Sequence, residues 1–213
     1  MVAGQVHLVR HGEVFNPDGI LYGRLPGYGL SSLGHAMAQA AADELVCASR
    51  PVAALVCSPL ERTRESAAPI GAAFALEPRI DDRLIEPRNH FEGTVMAHQM
   101  RRPGNWPFLV NPWRPSWGEP YARIYRRMHA AVDAAFDEVG DGGGDAVLVS
   151  HQLPIWTLHL GVAGLRLAHD PRRRRCALSS ITTFERHGRE LVEVGYRDPA
   201  GGQGAAARDV GAV

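Results

Sequence analysis

Three short apolar runs set the frame of the chain. Val6, Leu8 and Val9 carry the first, Ala53-Ala54-Leu55-Val56-Cys57 the second and Ala146-Val147-Leu148-Val149 the third. Each is strand-length and reads as a buried strand. Between them the apolar period lengthens to that of a helix. Leu33, Met37, Ala40, Ala41 and Leu45 share one face of a helix over residues 32–48, and Ile124, Met128, Ala131, Ala135 and Val139 share one over 119–139. At Ser58-Pro59-Leu60-Glu61 a further helix is expected to open, with Ser58 as N-cap, Pro59 in the first helical position and Glu61 completing a capping box. Short helices are expected over 94–101 and 154–162, and a hairpin over 177–184 and 191–196, turning at His187-Gly188. Strands alternating with helices predict an α/β fold, a three-layer α/β/α sandwich with a mostly parallel central sheet.

The segments between these elements carry their own information. Residues 12–31 form a long loop rich in Gly, Pro and Tyr, and loops of that length inside a compact domain are usually functional. Residues 79–93 read as a short strand and an irregular stretch containing Glu86 and Glu92. The stretch 103–118 holds Trp106, Trp113 and Trp117 among several prolines, which exclude a regular helix or a central strand. It fits either a lid or substrate wall or a packed surface loop. Residues 141–145 read as a flexible turn, and the Gly/Ala-rich residues 198–213 as a disordered tail behind a single domain over 1–197.

Composition narrows the function. At 213 residues and 45% hydrophobic content the chain can bury one full core. A formal net charge of zero provides no bulk field to recruit nucleic acid or a membrane surface. All 23 cationic side chains are arginine, so a Walker-type phosphate loop or a Schiff-base lysine is excluded. Cys47, Cys57 and Cys176 are scattered and odd in number, which fits neither a disulfide framework nor a zinc pattern and suits a reducing cytoplasm. The first strand begins within a few residues of Met1, with no signal-peptide pattern before it. The uncharged stretch 146–165 is interrupted by Ser150, His151, Gln152, Pro154 and His159, and a strand followed by a helix explains it better than a membrane span does.

All three strands end in similar words: Leu8-Val9-Arg10-His11, Leu55-Val56-Cys57-Ser58 and Leu148-Val149-Ser150-His151. In a parallel sheet ligands sit outside the carboxyl ends of the strands. His11, Arg62 and His151 are therefore expected to converge from distant parts of the chain. Like charges converging there would repel without an anion. Phosphate fits, because guanidinium donors match its oxygens in pairs, and a helix opening at Ser58 would add a favourable N-terminus. Arg62 and Arg64 in the first turns of that helix oppose its dipole, and Arg64 is expected to point into water.

These residues resemble the histidine phosphatase superfamily, the phosphoglycerate-mutase-like proteins, in order from about residue 5 to 185. Arg10-His11-Gly12-Glu13 is similar to the family's opening motif and Leu30-Ser31-x-x-Gly34 to the start of its first helix. Ser58-Pro59-Leu60-x-Arg62-Thr63 is similar to its second arginine motif. Arg83-Leu84-Ile85-Glu86 with Phe91-Glu92-Gly93 resembles its acid segment, Gly118-Glu119 the pair before its long helix, and Val149-Ser150-His151 its second histidine. The resemblance implies that His11 attacks phosphorus and becomes phosphohistidine. Arg10, Arg62 and His151 would clamp the non-bridging oxygens, and Glu86 would act as acid and then base, with Glu92 its rival. The substrate-binding candidates are Asn16, Arg24 and Ser58. Asn16 lies one residue closer to the motif than the family's asparagine. Arg24 could meet phosphate or a second anionic group of the substrate, or face solvent. No metal and no cofactor is required.

The short segment from Glu86 to Gly93 is closer to the phosphatase branch than to the mutases, which carry a longer insertion there. The expected activity is hydrolysis of a small-molecule phosphomonoester, with mutase-type transfer and a non-catalytic phospho-ligand module as alternatives. Nucleic acid and membrane are not expected partners. The run Arg172–Arg175, without interleaved aromatics, reads as a solvated loop. The substrate and the oligomeric state are not legible.

Overall fold

The computed structural model describes residues 4–105, 118–140, 143–203, 207 and 209. In chain order the main elements are β1 (Gln5–Arg10), α1 (Ser32–Cys47), β2 (Val52–Cys57), α2 (Glu61–Phe74), β3 (Arg79–Ile80), α3 (Met96–Met100), α4 (Tyr121–Val139), β4 (Asp145–Ser150), α5 (Gln152–Val162), β5 (Ile181–His187) and β6 (Glu190–Arg197). The strands form one six-stranded sheet in the order β3-β2-β4-β1-β5-β6. β3, β2, β4 and β1 run parallel; β5 and β6 close the sheet antiparallel. This is the expected α/β arrangement.

Strand alternation assigns the two faces. Val6, Leu8, Ala54, Val56, Ala146 and Leu148 pack with Ile124 and Met128 of α4 and Ile155 and Leu158 of α5. Val9, Leu55, Cys57, Val147 and Val149 point the other way, onto Ala41, Ala42 and Leu45 of α1 and Ala67 and Ile70 of α2. Covering both faces is why the central strands read as unbroken apolar runs.

Register then fixes what lies at the top of the sheet. Arg10 stands opposite Ser150, and Cys57 opposite Val149. The residues that follow, His11, His151 and Ser58, leave the sheet at the same end. At the opposite end Asp145 accepts from Gln5 N at 2.8 Å and from Arg50 Nε at 2.5 Å and Nη2 at 2.7 Å, and lies 3.2 Å from His7 Nε2.

Several expectations need correction. α2 begins at Glu61 with Leu60 as N-cap and no side-chain capping bond, two residues later than the Ser58 cap predicts. The Ser58 hydroxyl is fully buried and lies 2.8 Å from His151 Nε2, a tertiary partner that competes with the local cap. β5 starts at Ile181 rather than 177, because residues 177–180 turn around the end of β1: Arg10 N donates to Ser180 O, and Ser179 N to His11 O. Asp145 belongs to β4 and is buried by its ion pair with Arg50, not part of a flexible turn. Residues 199–203 form a turn, with Ala200 packed on Met37 and Leu178. The tryptophan stretch at 106–117 lies outside the described residues.

Candidate active site

The site begins where β1 stops. Gly12 and Gly34 cross so closely that a Cβ on Gly12 would sit 2.3 Å from Gly34 O, and one on Gly34 2.0 Å from Glu13 O. Gly12 is thus required for close approach, not for a left-handed turn; the N-terminus of α1 is seated directly on the motif. Ser31 caps α1 by accepting from Gly34 N at 2.9 Å, and its hydroxyl also reaches Glu13.

His11 is buried, and its Nδ1 lies 2.7 Å from Gly12 O. A carbonyl can only accept, so Nδ1 carries the proton and Nε2 keeps its lone pair. Burial, then the Arg62 and Arg10 guanidinium groups, hold the ring's pKa well below the ordinary histidine value. His11 is therefore a neutral imidazole with a free ring nitrogen at neutral pH. The His151 ring lies 5.2 Å from it, centroid to centroid, at 62°. His151 is likewise kept neutral by burial and by Arg62.

Arg10 donates from Nη1 to Cys176 O at 2.7 Å, and from both Nη atoms to the carboxylate of Asp209. Arg62 donates to Gly23 O at 2.8 Å, with its guanidinium 4.7 Å above the Tyr22 ring. Glu86 is 2% exposed, and its Oε2 lies 3.6 Å from His151 Nδ1. Burial pushes its pKa up to about 6, against the pull of Arg62, Arg174, Arg127 and Arg10. Among the described residues, Arg10 Nε, Arg62 Nε, His151 Nδ1 and Glu86 Oε1 are buried with no hydrogen-bond partner. Two guanidinium N–H donors, an imidazole and a carboxyl that titrates near neutrality thus share one enclosed space. It can hold a tetrahedral oxyanion against a nucleophilic nitrogen, with a proton source beside it.

The structure brings together Arg10, His11, Arg62, Glu86 and His151. Asn16 closes a turn within its own loop, donating to Ile20 O at 2.9 Å and accepting from Ile20 N at 3.0 Å. Arg24 donates from Nε to the backbone carbonyl of Glu86 at 2.5 Å. Ser58 meets His151. Glu92, the rival acid, accepts from Asn89 N at 2.9 Å and packs where Gly23 lacks a Cβ.

Tyr22, Gln152 and Arg174 also adjoin these groups and do not stand among the candidates the sequence offers. Arg174 donates to His169 Nε2 at 2.9 Å and to Gln152 Oε1 at 3.2 Å, and its charge reaches Glu86. It alone of the four arginines at 172–175 is not exposed. Nothing in a run of four identical residues says which one turns inward. Gln152 carries a signal in retrospect, since it directly follows His151. Among the described residues, no group of three or more His, Cys, Asp or Glu is placed to hold a metal ion, and no helix is long and apolar enough to cross a membrane.

Residues 6–199 match the family described as histidine phosphatase superfamily, branch 1. Across 92% of its length the chain is 53% identical to "Uncharacterized protein Rv0525" of Mycobacterium tuberculosis, covering 96% of that protein. Among solved structures, the mycobacterial glucosyl-3-phosphoglycerate phosphatase Rv2419c in complex with VO3 superimposes with a TM-score of 0.74 at 25% identity, over 90% of this chain and 98% of that one. The phosphoserine phosphatase of Entamoeba histolytica with 3-phosphoglyceric acid superimposes with a TM-score of 0.75 at 20% identity, over 91% and 96%.

Proposed function

The chain belongs to branch 1 of the histidine phosphatase superfamily, and on that premise we propose that it hydrolyses a small phosphomonoester through a phosphohistidine at His11. Nε2 of His11 attacks phosphorus in line, and the bond from phosphorus to the ester oxygen breaks. The proton on the Glu86 carboxyl passes to that oxygen, and the alcohol leaves. Water then attacks the phosphorus of phosphohistidine, Glu86 takes the proton of the water, and the P–N bond breaks to release orthophosphate and neutral His11. Arg10, Arg62 and His151 hold the non-bridging oxygens, where charge must be stabilised as phosphorus moves between nucleophile and leaving group. This reading requires no metal, since the Arg10 and Arg62 guanidinium groups supply the positive field and neutral His151 adds a hydrogen bond.

The observation that carries this reading is the enclosure of a neutral, tautomer-fixed His11 by buried donors whose hydrogen-bonding capacity is unfilled. The Asp209 carboxylate on Arg10 supports it further, since an anion already engages one arm of the cradle. Similarity to phosphatases of the same fold agrees with hydrolysis.

The test is a panel of phosphomonoesters with purified protein, read as orthophosphate released, with an alkaline denaturing quench to trap phosphate on His11. The wild type is expected to release phosphate and to carry an acid-labile phosphoryl group. His11→Ala should lose both, with kcat down at least about a thousandfold. Isomerisation of 3-phosphoglycerate without phosphate release would replace hydrolysis by mutase chemistry. Undiminished turnover in His11→Ala would remove the phosphohistidine.

A further inference from the structure

Glu86 must present its carboxyl to an ester oxygen, yet it sits in a stretch with no helix or strand to hold it: a 3-10 turn ends at Leu84, and the chain is irregular beyond it. Three side chains from elsewhere in the fold grip its backbone instead. Arg127 of α4 donates to Arg83 O at 2.5 Å, Ser150 at the end of β4 donates to Leu84 O at 2.7 Å, and Arg24 donates to Glu86 O at 2.5 Å. Arg24 holds the carbonyl of the acid residue itself.

Arg24 is also tied to the phosphate cradle. The residue before it, Gly23, accepts from Arg62 at 2.8 Å through its carbonyl. Gly23 has φ of +41°, and a Cβ there would meet Glu92 at 2.3 Å, so the loop is pressed onto the acid segment at that point. Two further backbone bonds close the same seam: Leu21 N to Thr94 O and Gly93 N to Leu21 O, both 2.9 Å. The long first loop thus bridges one arginine of the cradle and the acid.

We propose that Arg24 is a positioning residue for Glu86: it holds the acid's backbone at the distance from His11 that protonation of the leaving oxygen requires, and does not bind the transferred phosphoryl group. The inference rests on the phosphohistidine reading. A guanidinium on a backbone carbonyl is a charge-assisted bond, and catalytic geometry tolerates little misplacement. Loss of the bond should weaken acid catalysis selectively, and most for an ester whose leaving group needs its proton.

Phenyl phosphate and p-nitrophenyl phosphate are the probes, because they are nearly the same shape. Phenol has a pKa of about 10, whereas p-nitrophenolate leaves far more readily unprotonated. kcat/KM reports the first chemical step. Arg24→Ala should lower it for phenyl phosphate at least about fivefold more than for p-nitrophenyl phosphate, with the inhibition constant of orthophosphate unchanged within about twofold. Arg24→Lys, which can still donate to the carbonyl, should recover most of the loss, and it keeps the test decisive if the alanine variant fails to fold. Equal losses on both esters, or weakened orthophosphate binding, in a wild type that does form phosphohistidine would overturn the positioning role alone. A wild type that hydrolyses neither ester and traps no phosphate would overturn the phosphohistidine reading and this role with it.

Discussion

At the scale of one residue, Glu86 is a carboxyl held off its usual titration by burial, with nearby arginines only partly compensating. Below about 6 it carries the proton that a leaving oxygen needs; as pH rises through that value the proton is lost and the first chemical step should slow. Glu86→Gln is expected to reduce kcat/KM about a hundredfold or more and to abolish that limb of the pH profile, while orthophosphate still binds. The same raised pKa has a sign for stability. The folded state holds the proton more tightly than the unfolded chain, so stability is full below the ordinary value of 4.5 and falls as pH rises to about 6 and beyond. The glutamine variant should therefore melt higher than the wild type at pH 8 and show little advantage at pH 4, as calorimetry would reveal.

At the scale of elements, the two ends of the sheet do different work. The carboxyl ends of β1 and β4, with the turn after β2, converge on the cradle; the other end is tied by Asp145. Burial alone would raise that carboxyl's pKa, but hydrogen bonds from Arg50, His7 and Gln5 N outweigh it and hold the value well below the ordinary range. A depressed carboxyl stabilises the fold above the ordinary aspartate range and loses that contribution as pH falls through its folded value. Asp145→Asn should cost about 2–3 kcal/mol at pH 7, read as a lower urea midpoint, and the gap to the wild type should close in strong acid. A variant as stable as the wild type at pH 7 would mean that this cluster leaves the strands' register to packing alone.

At the scale of the whole molecule, both ends of the described chain meet at the site. Arg10, at the end of the first strand, is paired with Asp209 near the C-terminus, and Gln152 lies 3.5 Å from the same carboxylate. A carboxylate on Arg10 competes with any phosphate oxygen for the same N–H donors. Asp209 is partly exposed, so the contact is weak; Asp209→Asn should tighten orthophosphate inhibition by a few-fold, in line with about 1 kcal/mol or less for such a pair. Unchanged or weaker inhibition in that variant would exclude competition by the tail.

The apolar periods of β1, β2, β4, α1 and α4 were legible because core burial on both faces of a parallel sheet leaves long, regular hydrophobic traces. Arg10, His11, Arg62, Glu86 and His151 were legible because each stands beside such a trace or in a motif keyed to one. What tertiary structure decided were the partners of polar side chains. Ser58 has the local grammar of a helix cap, but a buried hydroxyl takes its strongest available partner, and that is His151, 93 residues away. Arg24 and Arg174 are indistinguishable by composition from the chain's other arginines, and Asp145 reads like any aspartate in a glycine turn. A hydrophobic side chain needs only to leave water, which a pattern along the chain can express. A hydrogen bond needs a particular atom at a particular distance, and only the folded chain supplies it.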